Sequence, residues 1–250
     1  LMQDFPARFF IRFFHNHGLL TVNDRPTWHV IKGGSCEYLE PLTKPFRNNI
    51  RIHTPVENIR RFPTHVEILT EKFGVEKFDA VFIATHTDEA LGMLEQATTA
   101  ETEVLGAIAY QKNEAILHTD TSLLPKRKLA WAAWNYHILK QQRDRVALTY
   151  NMNILQCIDA PVTFNVTLNN SDAINPDKIL KRIEYSHPMF TPDSVAAQQR
   201  HDEINGINRT WYCGAYWRNG FHEDGVVSAI DAVEHFNETM YEELHLPRAS

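Results

Sequence analysis

Few cysteines, no basic excess and no long apolar run set the first limits on this chain. Its three cysteines, Cys36, Cys157 and Cys213, stand far apart and form no C-x-x-C pair. That spacing argues against a disulfide framework and points to a reducing, cytoplasmic compartment. Lysine and arginine number 25 against 31 aspartates and glutamates, a formal net charge of -6. No basic balance therefore draws nucleic acid or an anionic membrane surface. The short clusters Lys126-Arg127-Lys128 and Arg60-Arg61 read as solvated turns or strand ends. No apolar run approaches the roughly 18 residues of a transmembrane helix. Neither H-E-x-x-H nor G-x-S-x-G occurs, which removes the commonest zinc-protease and nucleophile-elbow signatures. Nor is there a G-x-G-x-x-G loop. The opening Leu1-Met2-Gln3-Asp4-Phe5 lacks the basic and apolar regions of a signal peptide and has no initiator methionine at position 1. The expectation is a chain that begins inside a larger gene product.

What is present suits a soluble globular protein of one large or two smaller domains: 250 residues, 43% hydrophobic and 22% charged. Phe9, Phe10, Phe13 and Phe14 share one helical face in "FPARFFIRFF", a core-packing pattern. "WHVIKGGSCEYLEPLT" runs through a Gly-Gly turn into a short helix with Ser35 at its N-cap. "IRIHTPVENI" and "HVEILTE" read as strands. "FDAVFIAT" is a near-continuous apolar run, as in a parallel strand buried on both faces, with Thr87 or Asp88 capping the helix that follows. The pattern then changes. "RVALTYNMNIL" alternates strictly, Val146, Leu148, Tyr150, Met152 and Ile154 on one face and Ala147, Thr149, Asn151 and Asn153 on the other. That is a half-buried antiparallel strand. "LAWAAWNYHIL" and "TFNVTLN" read likewise.

The most informative stretch is "CGAYWRNGFHEDGVVSAIDAVEHF", from Cys213 to Phe236: a strand end, a polar loop, then an amphipathic helix. Gly214 and Ala215 present almost no side chain, so a ligand can lie against the backbone. Asp224 is the expected N-cap, and Val226, Val227, Ile230 and Val233 the expected buried stripe. Gly225, in the first turn, leaves room for close approach to unpaired N–H groups and the positive end of the helix dipole.

"FDAVFIATHTDEALGML" joined to the late "CGAYW…GFHEDGVVSAI" resembles the flavin-dependent amine oxidase and phytoene desaturase superfamily. More narrowly, the chain is similar to the predicted NAD/FAD-binding oxidoreductases of that superfamily. "RFFHNHGLL", "GGS", "TPVENI", "VFIATHTDEAL", "LHTD", "YSHPMF" and "WYCGAYWRNGFHEDG" fall in that family's order over nearly the whole chain. The resemblance implies an FAD cofactor. It places Val56 at the adenine, Ala84 and Thr85 on the phosphate side, Gly214 and Ala215 beside the ribityl-pyrophosphate, and Gly225 and Val226 under the isoalloxazine ring. Helix N–H groups at the flavin N1–C2=O2 edge favour its reduced form.

Three departures qualify the match. The superfamily opens on G-x-G-x-x-G, with an acidic residue about 20 positions on. Here the only close pair is Gly33-Gly34, which matches a later family element, so the N-terminal βαβ unit is expected upstream. The wider superfamily carries an acidic residue where Ala215 stands. Its Gly-Tyr-x-Glu-Gly is one residue longer here, which puts Phe221 near the position of an aromatic-cage ring.

The implied fold class is α/β plus α+β: a partial three-layer FAD-binding lobe with an antiparallel-sheet substrate lobe. Residues 28–98 and 206–250 form the cofactor lobe, 99–205 the substrate lobe and 1–27 its N-terminal helix. The resemblance implies hydride transfer from a small-molecule substrate, an amine or a lipid-like compound, to flavin. No catalytic acid or base is assigned; Trp134 and Tyr150 are candidates to line the pocket or to pack the core. The alternative is a non-catalytic binding or structural module. Metal binding has only His15, His17 and His222 with Asp224 in its favour and no third ligand at a metal-site spacing, so no metal is expected.

Overall fold

The structure, a computed structural model, describes residues 6–23, 26–27, 29–139 and 145–240. The expectations for Leu1–Phe5, for Trp28 and for the last ten positions lie outside the described residues. The helices are α1 (Ala7–Asn16), α2 (Leu39–Thr43), α3 (Thr87–Met93), α4 (Thr99–Gly106), α5 (Met152–Leu155), α6 (Pro192–Gln198) and α7 (His222–Met240). The strands are β1 (Val56–Arg61), β2 (Val66–Thr70), β3 (Gly74–Phe78), β4 (Val81–Ile83), β5 (Tyr110–His118), β6 (Trp134–Tyr136), β7 (Leu148–Asn151), β8 (Asn165–Leu168), β9 (Ile179–Pro188) and β10 (Thr210–Tyr212). This is a mixed helix-and-sheet fold, as the sequence patterns imply. Contacts divide it into two units, residues 110–187 and, around that insertion, 2–109 with 188–250.

The inserted unit is a five-stranded sheet in the order β6-β7-β8-β5-β9. The pairs β6–β7, β7–β8 and β5–β8 are antiparallel. The alternation read from "RVALTYN" is present over β7, and the polar set is the buried one. The buried face carries Asn135, Thr149, Asn151, Asn165, Thr167 and His118, while Trp134, Tyr136 and Val146 on the other face are exposed. "MNIL" leaves the strand altogether and forms α5, capped by the Asn151 carboxamide, which accepts from the Ile154 N–H at 3.2 Å.

A polar face can be buried because its groups satisfy one another. The Asp120 N–H donates to His118 Nδ1 at 3.1 Å, which puts the proton of neutral His118 on Nε2. His118 Nε2 then donates to Thr167 Oγ1 at 2.7 Å, Thr167 pairs with Thr149 Oγ1 at 2.7 Å, and Thr149 meets His137 Nε2 at 2.7 Å. One backbone amide thus fixes the His118 tautomer at the head of a chain of four hydrogen-bonded side chains. Burial pushes His118 below the usual histidine range against the opposing pull of Asp120, and burial lowers His137 too. Asp120 is itself held down to about 2: burial opposes this, but the N–H groups of Asn175 and Ser122, with Lys178, outweigh it.

The sign of the pH effect follows. Below pH about 6.5 the unfolded chain protonates these histidines while the folded one resists. Stability is therefore expected to fall as pH drops from about 6.5, by at most about 1.4 kcal/mol per pH unit for His118, and to level off once the folded state protonates. Thermal melts across pH test this. His118→Gln should flatten the slope; an unchanged slope would remove the relay from the account.

The larger unit holds a parallel pair and an antiparallel trio. β4 and β10 run parallel in register Val81–Thr210, Phe82–Trp211, Ile83–Tyr212. β10 is fully buried, whereas Phe82 is partly exposed, so the apolar run "FDAVFIAT" yields only three strand residues with one open side. β1, β2 and β3 form the antiparallel sheet, tied to α3 by a bridge between Ile59 and Leu94. The expected long strand "IRIHTPVENI" is strand only from Val56 onward. The Gly-Gly turn is present, with φ of 87° at Gly33 and 99° at Gly34; Gly34, not Ser35, precedes the short 3-10 helix there.

Two edges of the parallel pair differ. The outer side of β10 is closed by its own loop: the Tyr212 N–H donates to Asn205 Oδ1 at 2.8 Å, and the Gly206 N–H to the Thr210 carbonyl at 2.9 Å. Among the described residues β4 has no strand on its outer side.

Glu101 ties this unit together. Its carboxylate accepts from Arg61 through both oxygens, from the Tyr212 hydroxyl at 2.7 Å and from the Thr98 N–H at 2.7 Å. It is at once the third residue of α4, in a capping box with Thr98, and the partner of β1 and β10.

Candidate functional site

The site builds from the carboxyl ends of β4 and β10, where open parallel sheets hold ligands. The Cys213 N–H donates to the Ile83 carbonyl at 3.1 Å, so the two strands end level. Ala84-Thr85 leave one strand and Gly214-Ala215 the other. Ala84 is exposed and Thr85 half-buried. Thr85 donates its hydroxyl to the His86 carbonyl at 3.1 Å. His86, rather than Thr87 or Asp88, caps α3; Thr87 is buried and donates to the Ile108 carbonyl at 3.1 Å.

Gly214 is held by α7, its N–H donating to the buried Ser228 Oγ at 2.9 Å. Its missing side chain has a specific reason. A Cβ built there would stand 2.2 Å from Cε1 of Tyr216, so that ring takes the space that bare backbone offers a ligand. Ala215 stays open toward α7: a Cβ at Gly225 would meet the Ala215 Cβ and N at 3.9 Å, an ordinary contact. The pairs Gly214-Ala215 and Gly225-Val226 are thus brought together. Val56 lies in another sheet, opposite Thr70 at the start of β1.

The start of α7 differs from the expected one. The Gly225 N–H donates to the Phe221 carbonyl at 3.1 Å, and the Phe221 N–H to Asp224 Oδ2 at 2.9 Å. Phe221 is therefore the N-cap and Asp224 reaches back from the third helical position. The open N–H groups belong to residues 222–224; Gly225 contributes room. Glu223 and Asp224 put two carboxylates in that first turn. They offset the helix dipole and work against a fully charged anion there.

The expected stripe is also displaced. Val226, Ile230 and Val233 are each about half exposed and Val227 is half-buried, while α7 buries Ser228, Ala232 and Met240, the last two packed with Trp211 and Cys213. Burial raises the Cys213 thiol, which keeps it neutral and unreactive.

Aromatic groups gather where the helix begins. Phe13 and His17 of the α1 segment stand 5.8 Å and 5.3 Å from the Phe221 ring. Tyr38 Oη lies 3.1 Å from His222 Nδ1. Of the four α1 phenylalanines only Phe9 is buried, stacked on Phe190 at 4.6 Å. Because His15 lies in the last turn of α1 and His17 caps its end, the two imidazoles do not sit on an extended segment. Among the described residues no group of three or more His, Cys, Asp or Glu is placed to hold a metal ion. Ser228, with His201, Trp217, Arg218 and Asp231, also lines a cavity of about 390 Å³. Tyr216, Ser228 and Tyr38 escaped the sequence reading. A serine inside a valine-rich helix was the one signal available.

No sequence-family model matches the chain, and no curated protein matches it by sequence. Solved structures do match its shape. A protein assigned as a protoporphyrinogen oxidase from Exiguobacterium sp. 255-15 superposes with a TM-score of 0.61 at 15% identity, over 92% of this chain and 58% of that one. Cyclohexylamine oxidase from Brevibacterium oxydans IH-35A gives 0.61 at 11% identity, over 95% and 61%. The chain shares the fold of these two solved oxidases. Wild-type putrescine oxidase bound to putrescine gives 0.56 at 8% identity, over 82% and 53%. The chain spans a little over half the length of these structures. None of its helices, among the described residues, is long and apolar enough to cross a membrane.

Proposed function

We propose that this chain supplies the flavin-ring part of an FAD-dependent oxidoreductase that takes hydride from a small-molecule substrate, an amine or a lipid-like compound, in a reducing, cytoplasmic setting. One observation carries the reading. The start of α7, cleared of bulk by Gly225 and carrying the carboxylates of Glu223 and Asp224, stands beside Ala215 at the end of β10. Such a start favours the polar edge of a neutral ring over a free phosphate. FAD, when bound, supplies the hydride acceptor. The chain's part is to hold and orient. Ala84 and Thr85 with Gly214 and Ala215 line the strand ends and would hold the cofactor there, the N–H groups of residues 222–224 would donate to its ring, Gly225 and Val226 would border it, and Val56 would offer backbone to the adenine. Segments 28–98 and 206–250 serve as the cofactor lobe and 99–205 as the substrate lobe.

The open side of β4 supports a further part of this reading. With β10 closed on its outer side, the parallel pair can grow only at β4, and a βαβ unit encoded upstream would add its strand there and bring the pyrophosphate loop. The second reading, a binding module without turnover, draws on the missing G-x-G-x-x-G loop, because ring contacts alone hold a dinucleotide weakly.

The test is FAD titration of the purified full-length gene product. Uptake with absorbance at about 450 nm that bleaches on reduction is expected. Gly225→Leu should lower FAD affinity at least about tenfold with an unchanged melting temperature, since only the close approach is blocked. A full-length product that takes up no FAD would refute the flavin reading. Uptake with no substrate-driven bleaching across amines and lipids would favour the module.

A further inference from the structure

We infer that the β6–β7 hairpin of the inserted unit is a docking surface for an anionic lipid bilayer. Charge is divided unevenly between the two units. Residues 110–187 contain ten lysines and arginines against seven aspartates and glutamates, while the remaining segments contain fifteen against twenty-four. The overall charge of -6 conceals a basic insertion in an acidic protein.

Basic residues flank in sequence an apolar face turned to solvent. On β6 and β7, Trp134 pairs with Tyr150 and Tyr136 with Leu148, and all four share one face. The His137 N–H donates to the Ala147 carbonyl at 3.0 Å, and beyond it Ile138 and Val146 continue the alternation. Ile138 is 92% exposed, Tyr136 66% and Trp134 60%. Just before β6 stand Lys126, Arg127 and Lys128, all exposed, then Leu129, 104% exposed. Arg145 is exposed where the chain enters β7. The stretch from Lys126 to Ile138 contains no acidic residue.

The opposite face offers no exchange of roles. It is buried and filled by the His118–Thr167–Thr149–His137 relay, so this sheet cannot turn its apolar side inward. An apolar face with tryptophan, tyrosine and isoleucine beside a run of cations, free of carboxylates, complements a surface that is apolar below and anionic above. That is a bilayer interface, where tryptophan and tyrosine sit at headgroup depth and lysine and arginine meet anionic lipid. A protein partner would need a matching apolar patch rimmed by acid.

The experiment is flotation of the whole protein with vesicles of phosphatidylcholine alone or with about 30% phosphatidylglycerol. Flotation with the anionic vesicles only is expected, weakened by added salt because screening shortens the reach of the cations. Ile138→Asp and, separately, Lys126→Glu with Arg127→Glu and Lys128→Glu should each reduce the floated fraction about tenfold while leaving the melting temperature unchanged, since these side chains are exposed. The inference is overturned if the protein stays unbound with anionic vesicles, if the variants float as the parent does, or if the parent is a dimer in solution that Ile138→Asp splits, which would make a second copy the occupant. Flavin content does not enter the readout, so the result stands apart from the flavin reading.

Discussion

Glu101→Ala is expected to cost the fold roughly 3–5 kcal/mol, the range for removing one partner of a buried ion pair. The carboxylate is fully buried and Arg61 nearly so. Without Glu101, the guanidinium keeps its bond to the Gln96 carbonyl but loses its counter-charge, and the Tyr212 hydroxyl loses its acceptor. Thr98 also loses half of its capping box on α4. Burial would raise the Glu101 carboxyl, yet Arg61, the Thr98 N–H and the Tyr212 hydroxyl together hold it below the usual range. A depressed carboxyl contributes stability above its unfolded pKa and loses it as pH falls through the folded one. Glu101→Ala should therefore be far less stable than the parent at neutral pH and closer to it in acid. Tyr212→Phe, which removes one bond and no charge, should cost about 1–3 kcal/mol. Urea unfolding of the three proteins settles the matter; a loss of under about 1 kcal/mol for Glu101→Ala would show that the triad is incidental to stability.

Gly214→Ala is the second large effect. Its φ of 163° is extended and suits any residue, so backbone strain plays no part. The obstacle is the buried Tyr216 ring, with Cε1 2.2 Å, Cδ1 2.8 Å and Cζ 2.9 Å from the added Cβ. Its hydroxyl donates to the Cys213 carbonyl at 3.3 Å, so the ring is held at both ends. Overpacking of this kind costs about 1–3 kcal/mol. Tyr216→Ala alone should cost more, about 3–5 kcal/mol, as the truncation of a buried aromatic. The informative variant is the double one, because alanine at 216 removes the obstacle. Its destabilisation should fall short of the sum of the singles by at least about 1 kcal/mol. Simple additivity in the unfolding free energies would mean that the glycine answers to something other than the ring.

The terminal strand-loop-helix was legible because glycine, aromatic and amphipathic signals coincide over Cys213–Phe236. Its inward face was not. Val226, Ile230 and Val233 satisfy the helical spacing of a core stripe, but spacing states only that residues share a face, and the side that packs on Trp211 proves to be that of Ser228 and Ala232. The same ambiguity holds for β7. Alternation separated Leu148 and Tyr150 from Thr149 and Asn151 but did not state which set is buried. Only the relay through His118 and Thr167, 31 and 18 positions from Thr149 in sequence, makes the polar set the buried one. Asp224 was marked as a cap by residue type, and it does serve the helix start, but from the third position. The meeting of Ala215 with Gly225 followed from order along the chain. The closing of Gly214 by Tyr216 depends on a side-chain direction that no spacing encodes.

The parallel pairing of β4 with β10 also sets an order of assembly. Ile83 leaves the ribosome long before Tyr212, and at about 5–20 residues per second the delay is roughly 6–25 s. Through that interval β4 has no partner from this chain. The intervening residues 110–187 hold all strands of their own sheet and can fold meanwhile. The parallel pair of the larger unit forms only after that sheet is complete in the chain. A nascent chain halted before residue 210 would carry a folded basic sheet and a β4 that lacks its β10 neighbour, the form of this protein most in need of a chaperone.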